Sequence, residues 1–192
     1  TWRFAQANGT ITASGSNTSN YTGTGYFSAG INATGEFIQE AGSILAYGGG
    51  AASINSYGIA ADTFVQQPVG AGTNYNGEAT TFGHARFIAY GGAGENARGL
   101  NVYGPGASSI GNEFAAYAGT GTRAYGASFA GNVTAIAGSQ IIYANGIPTS
   151  APNSYTSGIN VGGAFTATAG ATISPIIDLG NKTVGTITAG PI

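Results

Sequence analysis

The sequence predicts an all-β protein: an antiparallel β-sandwich or jelly-roll-like domain, or a stacked β-arch domain, with strands paired between subunits. The straight-chain helix formers Leu, Met, Gln, Glu, Lys and Arg total only 18 of 192 residues, too few to cover several helices. Ile, Val, Thr, Tyr and Phe, which suit a pleated surface, total 66. Apolar residues also alternate with small or polar ones at period two, which is typical of strands.

The individual strands are predicted from this alternation and from the Gly, Asn and Ser residues that bound each segment. From Phe82 to Ala89, for example, one predicted face carries large residues and the other carries mainly small ones, as expected where sheets pack closely. The first face holds Phe82, His84, Arg86 and Ile88, and the second holds Gly83, Ala85, Phe87 and Ala89. In chain order the predicted strands are 3–7, 9–13, 25–33, 36–47, 63–66, 79–90, 99–103, 112–117, 122–129, 132–136, 140–143, 159–168, 171–178 and 183–188.

Turns are predicted where Asn and Gly permit positive φ or where Pro fixes a bend. The longest loops are expected at 70–77 and 148–157. The predicted turns are Asn8-Gly9, Asn76-Gly77, Gly104-Pro105-Gly106, Asn145-Gly146 and Gly190-Pro191.

A short motif recurs as Ala46-Tyr47-Gly48, Ala89-Tyr90-Gly91 and Ala124-Tyr125-Gly126. Its copies lie 43 and 35 residues apart, whereas the stacked coils of a solenoid repeat at a nearly fixed period. We therefore interpret the copies as hairpin ends within one domain.

The chain is divided into an N-terminal strand segment, residues 1–20, and a single β domain, residues 21–192. The first segment has two interpretations: an ordinary first strand, or a donor strand that completes the sheet of a neighbouring subunit. The residues expected to contact that neighbour are Trp2, Phe4, Ala7, Ile11 and Ala13.

Composition argues against several functional classes. Five basic and seven acidic residues provide no basic patch for nucleic acid, and no apolar run reaches the length of a membrane-spanning helix. Without Cys and with one His, no metal or other cofactor is expected. His84 has no nucleophile motif nearby, and Glu36 and Glu40 fall on one predicted strand rather than across a cleft. We expect no enzymatic activity.

Six Asn-X-Ser/Thr sequences make N-linked glycans candidate partners if the chain is exported. A start at Thr1 without Met would fit either signal removal or an artificially trimmed chain. The candidate sites are Asn8, Asn17, Asn20, Asn32, Asn132 and Asn181.

The strand edges carry little protection against pairing. The chain has a single Lys, and no charged residue lies between Arg123 and Asp178, although soluble proteins commonly use charge to block edge strands. We therefore expect identical subunits to cover these edges, in a homopolymer outside the cell. The alternative is a secreted binding module, an adhesin or a carbohydrate- or ice-binding domain, with a flat face of exposed Tyr or of Thr residues. The Thr candidates are Thr166, Thr168, Thr172, Thr183, Thr186 and Thr188.

Segments such as Phe87-Ile88-Ala89-Tyr90-Gly91-Gly92 and Ser128-Phe129-Ala130-Gly131-Asn132-Val133-Thr134-Ala135, together with the Gly/Ala/Ser/Thr/Asn/Tyr-rich composition, resemble the amyloid-like sheath proteins of methanogenic archaea. The chain is also similar in style to the β-rich subunits of archaeal threads and bundling pili, which polymerise by donor-strand exchange. The resemblance implies a structural subunit of an extracellular filament, pilus or cell sheath. Such a cell-surface polymer would have a protective, scaffolding or adhesive role, and the resemblance assigns no site residue.

Overall fold

The computed structural model describes residues 3–15, 28–50, 55–121, 123–144, 158–177 and 187–189. All regular elements in these ranges are strands, which confirms the predicted all-β class. They are β1 (Phe4–Gln6), β2 (Thr10–Ser14), β3 (Ser28–Gln39), β4 (Gly42–Tyr47), β5 (Asn55–Gln66), β6 (Gly70–Thr73), β7 (Ala79–Phe82), β8 (Ala85–Tyr90), β9 (Asn96–Val102), β10 (Ser108–Ile110), β11 (Glu113–Tyr117), β12 (Ala127–Phe129), β13 (Val133–Ala135), β14 (Gln140–Ala144), β15 (Ile159–Val161), β16 (Phe165–Ala167), β17 (Thr172–Ile177) and β18 (Ile187–Ala189).

The two main sheets are parallel, and their strands follow one another in chain order. The six-stranded sheet runs β2-β4-β8-β11-β14-β17. The ten-stranded sheet forms two walls, because the long strands β3 and β5 contribute to both. One wall runs β3-β5-β9-β12-β15, and the other runs β1-β3-β5-β10-β13-β16-β18. Each circuit of the chain therefore adds one strand to each of three walls, which is the winding of a parallel β-helix.

The predicted antiparallel sandwich, jelly-roll or β-arch domain is wrong. Only β6 and β7 pair antiparallel among the described strands. Parallel neighbours cannot be joined by a tight hairpin, so the chain passes along the other walls before it returns to the same sheet. The alternation of apolar and polar residues does not distinguish parallel from antiparallel pairing, because it is the same for strands of either direction.

The interpretation of the recurring Ala-Tyr-Gly motif as hairpin ends, rather than as part of a solenoid repeat, is also wrong. In the six-stranded sheet Arg86, Glu113 and Gln140 are aligned at intervals of 27 residues, whereas Ser43 and Arg86 lie 43 apart. The β6–β7 hairpin is inserted in that longer coil. Tyr47 and Tyr90 are aligned as the repeat suggests, but the next position is Tyr117 and not Tyr125, so the third motif copy gave a misleading spacing.

Aligned apolar columns fill the core. Phe4, Phe37 and Phe64 lie in register on one wall, with ring centroids 4.8 and 6.1 Å apart. On the six-stranded sheet Phe87 stacks on Phe114 at 5.2 Å. Such ring pairs stabilise the core beyond the area they bury. The column that includes this second pair runs Ile11, Ile44, Phe87, Phe114, Ile141 and Ile173.

Three buried glutamine side chains are aligned in successive coils at one corner, and they link the two main sheets. This glutamine ladder consists of Gln6, Gln39 and Gln66. Each Nε2 donates to a carbonyl of the six-stranded sheet: Gln6 to Ser43, Gln39 to Arg86 and Gln66 to Glu113. Gln66 also donates to Oε1 of Gln39 at 3.0 Å. These bonds satisfy polar groups that would otherwise be costly to bury.

Several local predictions can be compared with the structure. Gly9 and Gly77 have positive φ, which confirms both Asn-Gly turns. The first half of β5 was missed, and the loop predicted at 70–77 contains β6. The turns at 145–146 and 190–191 and the loop at 148–157 lie outside the described residues.

Candidate interaction surfaces

The first surface is the open edge of the first coil, formed by β1 and β2. Among the described residues β1 pairs only with β3, and β2 pairs only with β4. Ser43 N donates to Gly9 O, and Gly15 N donates to Tyr47 O. Odd-numbered residues of β2 therefore face β4, and the N–H and C=O groups of Thr10, Thr12 and Ser14 point to the open side.

In the part of the chain that the structure describes, no polar cap of the kind that usually ends a solenoid covers this edge. Its side chains continue the columns of the inner coils, with Phe4 over Phe37 and Ile11 over Ile44. The charged residue nearest β1 is Arg3, whose Nε lies 3.2 Å from Glu36 Oε2 in the next coil. A shallow cavity of about 320 Å³ lies beside it, lined by Arg3, Phe4, Asn32, Ala33 and Thr34.

The structure places most of the predicted N-terminal contact residues within their own chain. Phe4 and Ile11 are partly buried against the core, and Ala13 is buried. Ala7 is exposed next to the Asn8-Gly9 turn. Trp2 lies outside the described residues. Residues 1–20 therefore include the first coil of this chain, and donation of the same segment to a neighbour stays a prediction.

The second surface is the outside of the six-stranded sheet, which we call the outer face. Its middle row is apolar, and Leu45, Ile88 and Ile142 are partly exposed in it. Ala115 lies between Ile88 and Ile142 in the same row. The row is apolar across β4, β8, β11 and β14, and apolar strips on a protein surface commonly mark interaction sites.

An aromatic row borders the middle row on the outer face. Tyr47, Tyr90 and Tyr117 stack with ring centroids 5.1 and 5.0 Å apart and nearly parallel planes. Burial, followed by the neighbouring phenols of Tyr117 and Tyr47, raises the pKa of Tyr90 above its ordinary value. Since the rings cover one another, the ladder presents mainly ring edges and hydroxyl groups.

A charged row borders the other side of the outer face. Arg86 and Glu113 lie in register, with Arg86 Nε 3.4 Å from Glu113 Oε2. His84 Nε2 lies 4.0 Å from the same carboxylate oxygen. All three side chains are partly or largely exposed, so their attraction is weakened by solvent.

A guanidinium lies between two aromatic rings at a different corner. The Arg98 group is 5.7 Å from the ring centre of Tyr57 and 5.3 Å from that of Tyr125, and it donates to Asn101 Oδ1. Burial lowers the pKa of Arg98 and raises that of Tyr57. Sequence reasoning missed this stack; the signal that could have found it is the alignment of Tyr57 with Arg98 one coil later.

The remaining predicted residues are scattered. Glu40 is buried and accepts a hydrogen bond from Tyr75 N, whereas Glu36 pairs with Arg3. Within the described part of the chain, no group of three His, Cys, Asp or Glu residues could hold a metal ion. The same residues include no helix long and apolar enough to cross a membrane.

The sequons differ in their surroundings. Asn8, Asn32 and Asn132 are exposed, and Asn8 Oδ1 accepts a hydrogen bond from Gly9 N. Asn132 Oδ1 accepts one from Ala164 N at 2.8 Å. Asn17, Asn20 and Asn181 lie outside the described residues.

Two Thr positions from the predicted Thr face come together. Thr166 is exposed and aligned with the partly exposed Thr134 on one side and with Thr188 on the other. Thr168 Oγ1 instead donates to Ala135 O at 3.0 Å. Thr172 lies on the six-stranded sheet, and Thr183 and Thr186 lie outside the described residues.

Comparison of the chain with protein-family models, curated proteins and solved structures finds no match.

Proposed function

We propose that this chain is a structural subunit of an extracellular filament, pilus or sheath, in which identical copies polymerise by pairing strands between coils. The observation that carries the proposal is the open edge of the first coil. Within the described ranges, no strand pairs with the outer side of β1 or β2, and that coil repeats the side-chain columns of the coils behind it.

The parallel winding favours a head-to-tail contact. Among the described strands β2 ends the six-stranded sheet on one side and β17 ends it on the other, and all six strands run parallel. The β17 edge of one copy would therefore meet the β2 edge of the next in the direction already used inside the chain. A head-to-tail contact that does not close on itself generates a filament.

Thr12→Pro tests this mechanism. Thr12 is exposed and its N–H points to the open side, so proline would remove an intermolecular donor while the bonds from β2 to β4 are kept. We expect Thr12→Pro subunits to stay folded by circular dichroism but to form no filaments by electron microscopy. Wild type and the matched Thr12→Ala variant should form filaments with a strand spacing of about 4.7 Å by fibre diffraction. Filaments of normal length from Thr12→Pro would refute edge pairing.

Glycans at exposed sequons would suit an extracellular surface. Asn8, Asn32 and Asn132 are the described candidates with exposed side chains. If the chain is made in a glycosylating secretory host, mass spectrometry should find added sugar that is reduced in an Asn8→Gln, Asn32→Gln, Asn132→Gln triple variant. An unmodified wild-type mass would contradict the glycan part of the proposal.

A secreted binding module is the second candidate, favoured by the aligned Thr134 and Thr166 on an exposed strand surface. Regularly spaced hydroxyl groups suit a flat, repetitive ligand such as a polysaccharide or ice. Thr166→Tyr should abolish such binding and leave filament formation intact. Unchanged adsorption to ice and to polysaccharide columns by this variant would remove the support for a Thr face.

A further inference from the structure

The outer face, with its three parallel rows, is unlike an ordinary solvated sheet surface. An apolar row containing Ile88 and Ala115 runs between the tyrosine ladder and the charged row. Its aliphatic side chains are partly exposed across β4, β8 and β14. We propose that this face binds the same face of a second copy of this chain, so that neighbouring polymers associate side by side.

The pattern of charges favours a second copy as the occupant. Two copies can face each other across a twofold axis that runs parallel to the strands, which reverses the strand order in one copy relative to the other. With the axis between β8 and β11, Arg86 of each copy meets Glu113 of the other. An axis on β8 would instead place Arg86 against itself, and an axis on β11 would place Glu113 against itself. Like charges in such positions oppose association, so the charges select the axis between the strands.

The sizes of the apolar side chains agree with the same axis. It places Ile88 of one copy opposite Ala115 of the other, a large side chain against a small one, and Leu45 opposite Ile142. Tyr90 meets Tyr117 at the border. Complementary charge and volume in one arrangement are what an isologous interface requires.

The small area of this patch explains why the contact should be strong only between polymers that carry many copies. Four strands at about 4.8 Å spacing and five residues at about 3.3 Å per residue give a patch of only about 19 by 16 Å. A stable dimer usually buries more surface than such a patch provides. Single chains should therefore pair weakly, and many copies held on one support should pair strongly through effective concentration. In the cell this inference rests on the proposed filament, which would be that support.

The experiment uses beads as the support, so that it does not depend on filament formation. Full-length chains carrying Thr12→Pro are attached to beads through an added C-terminal tag, and bead clustering is measured by light scattering. Beads with no further substitution should cluster. Beads carrying Arg86→Glu alone, or Glu113→Arg alone, should cluster at least about tenfold less, because like charges then face each other.

The decisive sample is an equal mixture of Arg86→Glu beads and Glu113→Arg beads. Each variant has lost the internal Arg86–Glu113 pair, yet across the axis acidic residues would again meet basic ones. We expect the mixture to cluster like the parent. Failure of the parent to cluster, or failure of the mixture to regain clustering, would overturn the proposal. Both results are independent of the filament test, whose readout is polymer length and whose variant alters the coil edge.

Discussion

At the scale of single residues, the buried glutamines show how polar side chains specify this fold. Gln39 is fully buried. Its Nε2 donates hydrogen bonds to the carbonyl oxygens of Gly42 and Arg86, and its Oε1 accepts one from Gln66 Nε2. The side chain therefore links its own coil to the next one. An apolar residue of similar size would fill the space but leave these groups without partners.

Gln39→Ala should lower the free energy of unfolding by about 2–4 kcal/mol, because it leaves a cavity and unpaired buried polar groups. The matched control is Gln140→Ala, which removes an exposed glutamine from β14 and should change stability by less than about 0.5 kcal/mol. Urea unfolding followed by circular dichroism measures both. Equal effects of the two substitutions would contradict a structural role for the ladder.

At the scale of strands, a close backbone approach lies where β9 passes the six-stranded sheet. A Cβ at Gly99 would lie 2.5 Å from Tyr90 N and 2.6 Å from Ala46 O. Gly99→Ala should therefore lower the unfolding free energy by about 1–3 kcal/mol through forced backbone displacement. Gly83→Ala is the control, since its Cβ would meet only Ala41 Cβ at 3.5 Å. Thermal unfolding should show a lower midpoint for Gly99→Ala alone, and an unchanged midpoint would argue against the close packing.

The tyrosine ladder predicts a loss of stability in alkali. The pKa of Tyr90 is raised in the folded state, first by burial and then by the phenols of Tyr117 and Tyr47. Above about pH 10 the unfolded chain loses this proton first, so the unfolded state binds fewer protons and the unfolding free energy falls as pH rises. Below that pH both states are protonated and the stability contribution is complete.

We expect urea midpoints that are flat to about pH 9 and fall above about pH 10. Tyr90→Phe should make the fall shallower, and the fall should not vanish because the pKa values of Tyr57 and Tyr103 are raised as well. Tyr75→Phe, in the exposed turn of the β6–β7 hairpin, serves as the comparison. A Tyr90→Phe profile identical to that of wild type would exclude the ladder as a source of the effect.

At the scale of the whole molecule, each coil contacts mainly its neighbours, as in other solenoids. Deletion of residues 1–16 removes β1 and β2 and exposes β3 and β4, which carry the same columns through Phe37 and Ile44. The shortened chain should fold, melt at a lower temperature and still form filaments by electron microscopy. Folded subunits that no longer polymerise would instead favour donation of residues 1–20 to a neighbour.

The candidate surfaces were only partly predictable from the sequence. The lack of charge at strand edges is a compositional property, so the sequence alone predicts exposed edges. The outer face was not expected, because Arg86 and Glu113 are 27 residues apart and become neighbours only through parallel register. The Arg98 stack depends on the same long-range alignment.

The sequence by itself determined three properties: the presence of short strands, the positions of the Asn-Gly turns, and the residues that alternate towards a core. All three depend on local backbone preferences and on period-two patterning. Only the tertiary structure decided that the strands run parallel and wind into coils. That choice depends on which distant strands pair, and the inserted β6–β7 hairpin conceals the repeat by giving one coil 43 residues where the next two have 27. Strand direction and register are set by contacts between coils, and these long-range contacts cannot be predicted from a local sequence pattern.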